Sequence, residues 1–525
     1  MKKTLALILS LSLLLALLSG CGGGTASNAS TSGTSGNSSG DSSAGDTTLT
    51  VGILNGNSAG SDGFDPISTT NSVGVNLVFE TLVDIDPETS EPVGILAESW
   101  SYDDDTHLRV KLYDDATFSN GDPVTGEDVY WSWYRNISEN GSNAGNLDFI
   151  DWDNWEFVSD KEFVISYKEA FGPALNYMTM RCFSVMSKAA MENATSDDYW
   201  SNPVGSGPYT VKENVSGSYS SYVRNEDYWN PDAMPEATEI TIRNYSDAST
   251  MYIDFETGSL DMAWELDVTD AERAAEGLEN AKLETVSLNN VIGIAFPEYT
   301  ESLSDIRVRQ ALAYAMDVEA LTEMGYGTLA TVSSTIIPSG IQDALDTGVQ
   351  EYNPDKAKEL LKEAGVSNLT LNMVIVDSPA NERIATALAA YFQEVGVTLN
   401  VEPCDLATAI SHFMNCETDI VLNSGSVVTM DTYEALMMTL STSTNATIRI
   451  TDESYNEDLL AGRASSDEAQ RTQSYEEAQQ WLHDNYRQVA ICEPTLAYVY
   501  RTDKIASVNS MVDEAMTLRY VEFVH

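Results

Sequence analysis

Along "DTTLTVGIL", just past residue 45, apolar and polar side chains take turns, the period-two signature of a strand with one buried face. "SVGVNLVFETLVDID" then reads as a helix running into a second strand. "THLRVKLYDDATFSNGDPVT" alternates again and breaks at Asn120-Gly121 and Asp122-Pro123, which marks a strand and its turn. A helix is predicted from Glu127 toward Arg135. Beyond residue 300 the period lengthens. "SDIRVRQALAYAMDVEAL", from Ser304, puts Val308, Ala311, Leu312 and Ala315 on one face and is predicted as a core helix. "NPDKAKELLKEAG" carries a complete helix signal: Asn353 as cap, Pro354 in first position, Ala357, Leu360, Leu361 and Ala364 on one face, Gly365 as the stop. The strand "LTLNMVIV", the helix "NERIATALAAYFQEVG", the strand "VTLNVEP", a helix around His412 and the strand "DIVLN" come next, in alternation. Right-handed crossovers lay such strands parallel, so the second half is expected to be α/β and the first half mixed.

The first 46 residues obey neither period. Met1, Lys2 and Lys3 are a short positive region, and Thr4 to Leu18 is an apolar run too short to span a hydrocarbon core comfortably, so residues 1–20 are expected to be an export signal. Leu18-Ser19-Gly20-Cys21 resembles the lipobox of bacterial lipoproteins, which implies that Cys21 is acylated and becomes the first residue. Residues 22–46 are nearly all Gly, Ser, Thr, Asn and Ala, a composition with nothing apolar to offset chain entropy, and they are expected to be a disordered tether spanning roughly 25 to 30 Å.

Composition narrows the function. Against 27 Lys and Arg stand 81 Asp and Glu, a formal net charge of −54. Nucleic acid is excluded as an expected partner, since binding it needs clustered basic residues. Beyond the leader there are four cysteines, Cys182, Cys404, Cys416 and Cys492, too few for a disulfide framework; Cys404 and Cys416 flank a short predicted helix and could pair, which spacing alone leaves open. No CxxC, HExxH or calcium-loop pattern is present, and no metal or cofactor is expected. "GNSAG" at Gly56–Gly60 fits a nucleophile elbow with Ser58, but the next stretch, "SDGFDPIS", is a loop where the elbow needs a helix, and none of His107, His412, His483 and His525 is placed as its base. A serine hydrolase is therefore the weaker reading, and no enzymatic activity is expected.

Seven stretches, "VFETLV", "GILAESWSYDDDTHLRVKLYDDATFSNGDPVTGEDVYWSW", "NPVGSGPYTV", "RNEDYWNPDAMPEATEITI", "FETGSLDMA", "SDIRVRQALAYAMDVEAL" and "YNPDKAKELLKEAG", resemble in this order the bacterial extracellular solute-binding proteins of family 5, the oligopeptide, dipeptide and nickel-chelate receptors of ABC importers. The resemblance implies an α/β, periplasmic-binding-protein-like (type II, cluster C) bilobal fold with an extra small domain and a hinge between the lobes. The implied limits are 47–82, 200–287 and 488–525 for lobe I, 83–199 for the small domain and 288–487 for lobe II. It further implies a monomer that takes up a peptide or other small solute by lobe closure and hands it to ABC permease subunits, held to the extracytoplasmic face of the membrane by its lipid. A non-peptide solute, an oligosaccharide or a nickel or other metal chelate, is the alternative within the family, with His412 the histidine nearest the closing lobe.

Within the matched motifs, Gly205, Gly207 and Pro208 are read as a tight crossing between domains, Arg307 and Arg309 as makers of ion pairs, and Tyr228-Trp229 as packing residues. In peptide receptors of the family, a segment resembling Ser-Gly-Trp-x-Ala-Asp-Tyr supplies the aspartate that takes the peptide's α-ammonium. Here the stretch is "LNSGSVVTMDTYEAL": Ser426 stands at the tryptophan position, Thr429 at the aspartate position, and Asn423 where some receptors have an arginine. Asp431, two residues on, is the nearest acid and the expected anchor, with Thr429 and Ser426 as hydrogen-bond partners; Trp264 and Glu265 are expected to line the opposite lobe.

Overall fold

The computed structural model describes residues 47–54, 64–67, 73–86, 91–141, 143–423, 427–440, 447–508 and 518–525. Cys21, the tether, Ser58 and Ser426 lie outside them. β1 (Thr48–Leu54) is the alternating stretch, with Leu49, Val51 and Ile53 buried. β2 (Val83–Ile85) and β3 (Pro92–Gly94) form a small antiparallel pair. β4 (Ala97–Asp104), β5 (His107–Leu112), β6 (Glu156–Ser159) and β7 (Glu162–Ser166) make a separate sheet in the order β4-β5-β7-β6, with Leu108, Val110 and Leu112 turned inward. The helix Gly126–Ser138 opens on a capping box between Thr125 and Asp128 that satisfies its first free N–H groups. Its Trp133 is buried and donates to the Phe183 carbonyl at 2.7 Å.

β8 (Tyr209–Val215), β9 (Tyr219–Arg224) and β10 (Glu239–Tyr245) run as a meander, and β10 returns parallel to β1 over its whole length. β11 (Met262–Leu266) takes the other side of β1. β12 (Ala281–Ser287), β13 (Ile292–Ala295), β14 (Ala330–Val332), β15 (Leu369–Val376), β16 (Val397–Cys404) and β17 (Ile420–Asn423) lead to β18 (Gln488–Arg501). Among the described residues β1 and β8 to β18 form one twelve-stranded sheet, and β15 pairs parallel with both β16 and β17, as the α/β alternation requires. β19 (Ile505–Val508) and β20 (Val521–Phe523) pair at the end of the chain.

One core lies between β13, β15, β16, β17 and the helices Ile306–Tyr314, Val318–Tyr326, Pro354–Glu363 and Pro379–Glu394. A second joins β1, β8 to β11 and the last strands. The core of the small sheet does not close on itself. Phe163, Phe171, Tyr177 and Phe183 share it with Tyr433, Leu436, Tyr455, Tyr475 and Leu482, which come from far along the chain.

Several motif residues acquire physical reasons. A Cβ on Gly205 would lie 2.0 Å from the Val78 carbonyl oxygen and one on Gly207 2.6 Å from that of Leu77, so this crossing is possible only without side chains. Glu80, in "VFETLV", is buried and accepts from Tyr228 Oη (2.5 Å) and Trp229 Nε1 (2.9 Å), with Arg519 at 3.6 Å. One carboxylate thus ties the start of the fold to the "DYW" motif and to the C-terminal segment.

Two expectations are corrected and one open pairing is decided. The run from Ser304 is two helices, because Asp317 leaves the helical path to cap the second, accepting from the Ala320 N–H at 3.0 Å. Arg307 does pair with Asp305, at 2.6 Å, but Arg309 is buried and donates to the carbonyls of Leu303, Ser304 and Asn485. Burial brings its guanidinium down to about 10. Cys404 and Cys416 are both free thiols: they sit at opposite ends of the nine-residue helix Leu406–Met414, about 13 Å long, too far for a bridge.

Candidate functional site

β18 belongs to both halves of the large sheet. Its first residues pair with β13, Cys492 to Pro494 with β14, and Thr495 to Arg501 with β12. The chain crosses a second time at Leu288–Val291, between β12 and β13. Two adjacent crossings of this kind make a hinge, because small changes in a few backbone angles there swing one half against the other. Asn289, buried in the second crossing, has φ = 43°, a left-handed conformation that Asn tolerates better than most residues.

The carboxyl ends of β15, β16 and β17 lie on the hinge side of the sheet, since Asn423 stands opposite Gly293 near the start of β13. In α/β sheets this is where ligands collect. The chain leaving β17 meets two other bodies there. Val427 N–H donates to the Asn289 carbonyl (2.9 Å), Asn289 Nδ2 approaches Met430 Sδ (2.8 Å), and Asn176 Nδ2, beside the small sheet, donates to the Thr429 carbonyl (2.9 Å). Around this junction Phe171 packs edge-on against Tyr433, Gly172 N–H donates to the Arg463 carbonyl (2.7 Å), Glu169 pairs with Arg463, and Ser466 donates to Asp105 (3.0 Å).

The structure gives Asp431 a different task from the one its place in the sequence suggests. Its carboxylate, 2 % exposed, caps the helix Thr432–Leu436 by accepting from Tyr433 N–H (2.8 Å) and forms an ion pair with Arg471 on the helix Glu468–Asp484. Burial holds its carboxyl above the usual range, against the pull of Arg471. Burial opposes the charge of Arg471 as well, yet there Asp431, Tyr475 and Asp343 together outweigh it and carry the guanidinium upward. Thr429 is fully buried, and its N–H (2.9 Å) and hydroxyl (2.6 Å) both donate to Glu434 Oε2. Burial, partly offset by these bonds, pushes Glu434 up to about 7.

The other expected contacts disperse. Asn423 closes β17 at the junction, half-buried. Trp264 is buried in the core with β1, stacked on Tyr498 with ring centroids 4.6 Å apart. Glu265 sits in a bulge of β11 with φ = 65°. His412 Nδ1 lies 2.8 Å from Glu417, and among the described residues no group of three metal-binding side chains gathers. Asn176, Asn289, Glu434 and Arg471 carry no sequence signal of their own; they are brought together by packing.

The chain is similar to known proteins in sequence and in fold. The sequence model of "Bacterial extracellular solute-binding proteins, family 5 Middle" matches residues 91–447. The dipeptide-binding protein of Escherichia coli K12 is 26 % identical over 83 % of this chain and 88 % of its own. The nickel-binding periplasmic protein of the same organism is 27 % identical over 55 % of this chain and 56 % of its own. Among solved structures, NikA from Brucella suis in complex with Fe(III)-EDTA superposes with a TM-score of 0.79 at 19 % identity, covering 90 % of this chain and all of that one, which places the fold among the type II periplasmic binding proteins. The chain belongs to the bacterial extracellular solute-binding proteins of family 5.

Proposed function

We propose that this protein is the lipid-anchored receptor of an ABC importer and that it captures short peptides by closing its two halves around them. The observation that carries this reading is β18, a single strand shared by both halves beside a second crossing at Leu288–Val291. A ligand that touches both halves stabilises the closed state by its differential affinity, and the permease is offered that state. The relatives named for dipeptides and for nickel support a small solute, and the lipobox at Cys21 supports the anchor.

Thermal unfolding of the leaderless protein tests the ligand class. A ligand at 100 times its dissociation constant stabilises the fold by about 2.7 kcal/mol, enough to read as a shift. Short peptides should produce it. Shifts with oligosaccharides or metal chelates alone would overturn the peptide reading and leave the receptor reading standing. Cys21→Ser should move the exported protein from the membrane fraction to the soluble one; retention in the membrane would refute the anchor.

A further inference from the structure

We propose that the aromatic face of the small-sheet body, formed by Tyr130, Tyr134, Trp152, Trp155 and Phe157, is a binding site for a free alkylated ammonium ion of the choline type. These residues are not among those that meet at the junction, so the inference goes beyond the importer reading and does not depend on it.

Three observations carry it. The first is the arrangement of the rings. Tyr130 and Tyr134 lie one turn apart on the helix Gly126–Ser138, and the sequence "DWDNWEF" at Asp151–Phe157 brings the other three beside them as the chain enters β6. Tyr130 is the hub: its ring centroid lies 5.4 Å from that of Trp155, 5.6 Å from Tyr134, 5.7 Å from Trp152 and 5.9 Å from Phe157. The second is that the cluster is open. Trp155 also packs on Phe163 and Trp133, both buried, which roots the rings in the core, but Tyr134 and Phe157 are 40 % and 49 % exposed. β6 is an edge of its sheet and all four of its residues are exposed, so that side stands open to solvent. A contiguous exposed aromatic surface marks a place of contact rather than a need of the fold. The third is charge. Asp153 and Glu156, both exposed, are interleaved with Trp152, Trp155 and Phe157, and neither forms an ion pair among the described residues. Burial, then the nearness of Tyr134 and Asp153, holds the Tyr130 hydroxyl above its ordinary range, so Asp153 bears on the rings. The cations of the small sheet are already taken: Arg109 by Asp103 and Glu162, Lys111 by Glu98, Lys161 and Lys168 by main-chain carbonyls. Among the described residues the cations that sit over rings choose others, as Lys356 does Tyr314 and Arg471 does Tyr475.

The chemistry selects the ligand. A ring face carries negative potential and attracts a cation, most strongly one that gives up little water in approaching it. An ammonium clothed in methyl groups meets that condition, and its methyls cover apolar ring surface as well. A bare metal ion does not, since it demands several oxygen ligands at once, and among the described residues no group of three metal-binding side chains gathers. Asp153 and Glu156 add attraction for positive charge and repel the phosphate that accompanies the ammonium in a lipid headgroup, which is why the ligand is the free ion.

The test is saturation-transfer NMR of the leaderless protein with choline and with dimethylbutanol, its uncharged analogue with carbon in place of nitrogen. The methyl protons of choline should take up saturation, and the analogue should bind at least about 5-fold more weakly. Tyr134→Ala with Phe157→Ala, which removes the two most exposed rings, should weaken choline at least about 5-fold. Asp153→Asn with Glu156→Gln, isosteric changes at exposed positions, should bring choline toward the analogue's affinity and leave the analogue's own unchanged. Equal binding of choline and its analogue, choline binding that both variants leave unchanged, or no transfer to choline at all would overturn the assignment. Retention of the leaderless protein on phosphatidylcholine vesicles would overturn the choice of a free ion. Should the alanine variant not fold, the carboxamide variant alone decides: choline must lose its advantage over the analogue there, and an advantage kept in full refutes the proposal.

Discussion

Replacing Asp431 by alanine should loosen the junction. The substitution removes the cap of Thr432–Leu436 and leaves Arg471 without its partner. Breaking a buried pair from one side costs about 3 to 5 kcal/mol, and a lost cap about 1. Water still reaches part of the guanidinium, so the combined loss should lie near the low end, about 4 kcal/mol. The raised carboxyl of Asp431 adds a second expectation: its charged form is less favourable here than in water even with Arg471 beside it. Replacing both partners by apolar side chains, Asp431→Leu with Arg471→Met, should therefore recover most of the loss. The sign with pH is fixed too. A carboxyl whose folded pKa is raised favours folding below the unfolded value and loses that contribution as pH rises through the folded one. The double variant should accordingly gain on the parent as the pH rises from about 4 toward neutral. Thermal and urea unfolding of the three proteins across that range measures this. A single variant as stable as the parent, or a double variant no better than the single, would refute the reasoning.

Glu80→Ala should destabilise by about 3 to 5 kcal/mol, since it removes the counter-ion of the buried Arg519 and leaves the Tyr228 hydroxyl and the Trp229 N–H without their acceptor, and limited proteolysis should show the C-terminal strands loosened first. Gly172→Ala would put a Cβ 2.2 Å from the Ser465 carbonyl oxygen, so the small-sheet body and the helices after residue 452 must move apart; unfolding should show a loss of about 1 to 3 kcal/mol, and an unchanged melting curve would deny that contact. Alkylation with mass mapping should label Cys404 and Cys416 in the native protein, whereas Cys182 and Cys492, whose thiols burial pushes to about 12, should react only after unfolding; no Cys404–Cys416 bridge should be found.

Features settled within one or two turns of chain are legible in the sequence. The cap at Asn353, the stop at Gly365 and the alternation of β1 and β5 come from spacing of this kind, and the parallel run of β15, β16 and β17 follows from the strand–helix alternation. The break at Asp317 was legible in the same terms, as an aspartate able to cap, yet the apolar face continues through it and conceals the stop. The family, too, was legible, since its seven motifs keep their order. The fate of the charges, by contrast, was settled by packing in three dimensions. Arg307 and Arg309 look alike in sequence, but one meets a near neighbour while the other is driven inward, where only carbonyls can satisfy it. Asp431 is the acid nearest the family's anchor position, yet it is buried against Arg471, 40 residues on, and caps a helix. Whether a carboxylate caps a helix, balances an arginine or waits for a ligand depends on what packing places beside it. Burial makes the choice strict, because a charge removed from water must find its partner within hydrogen-bond reach.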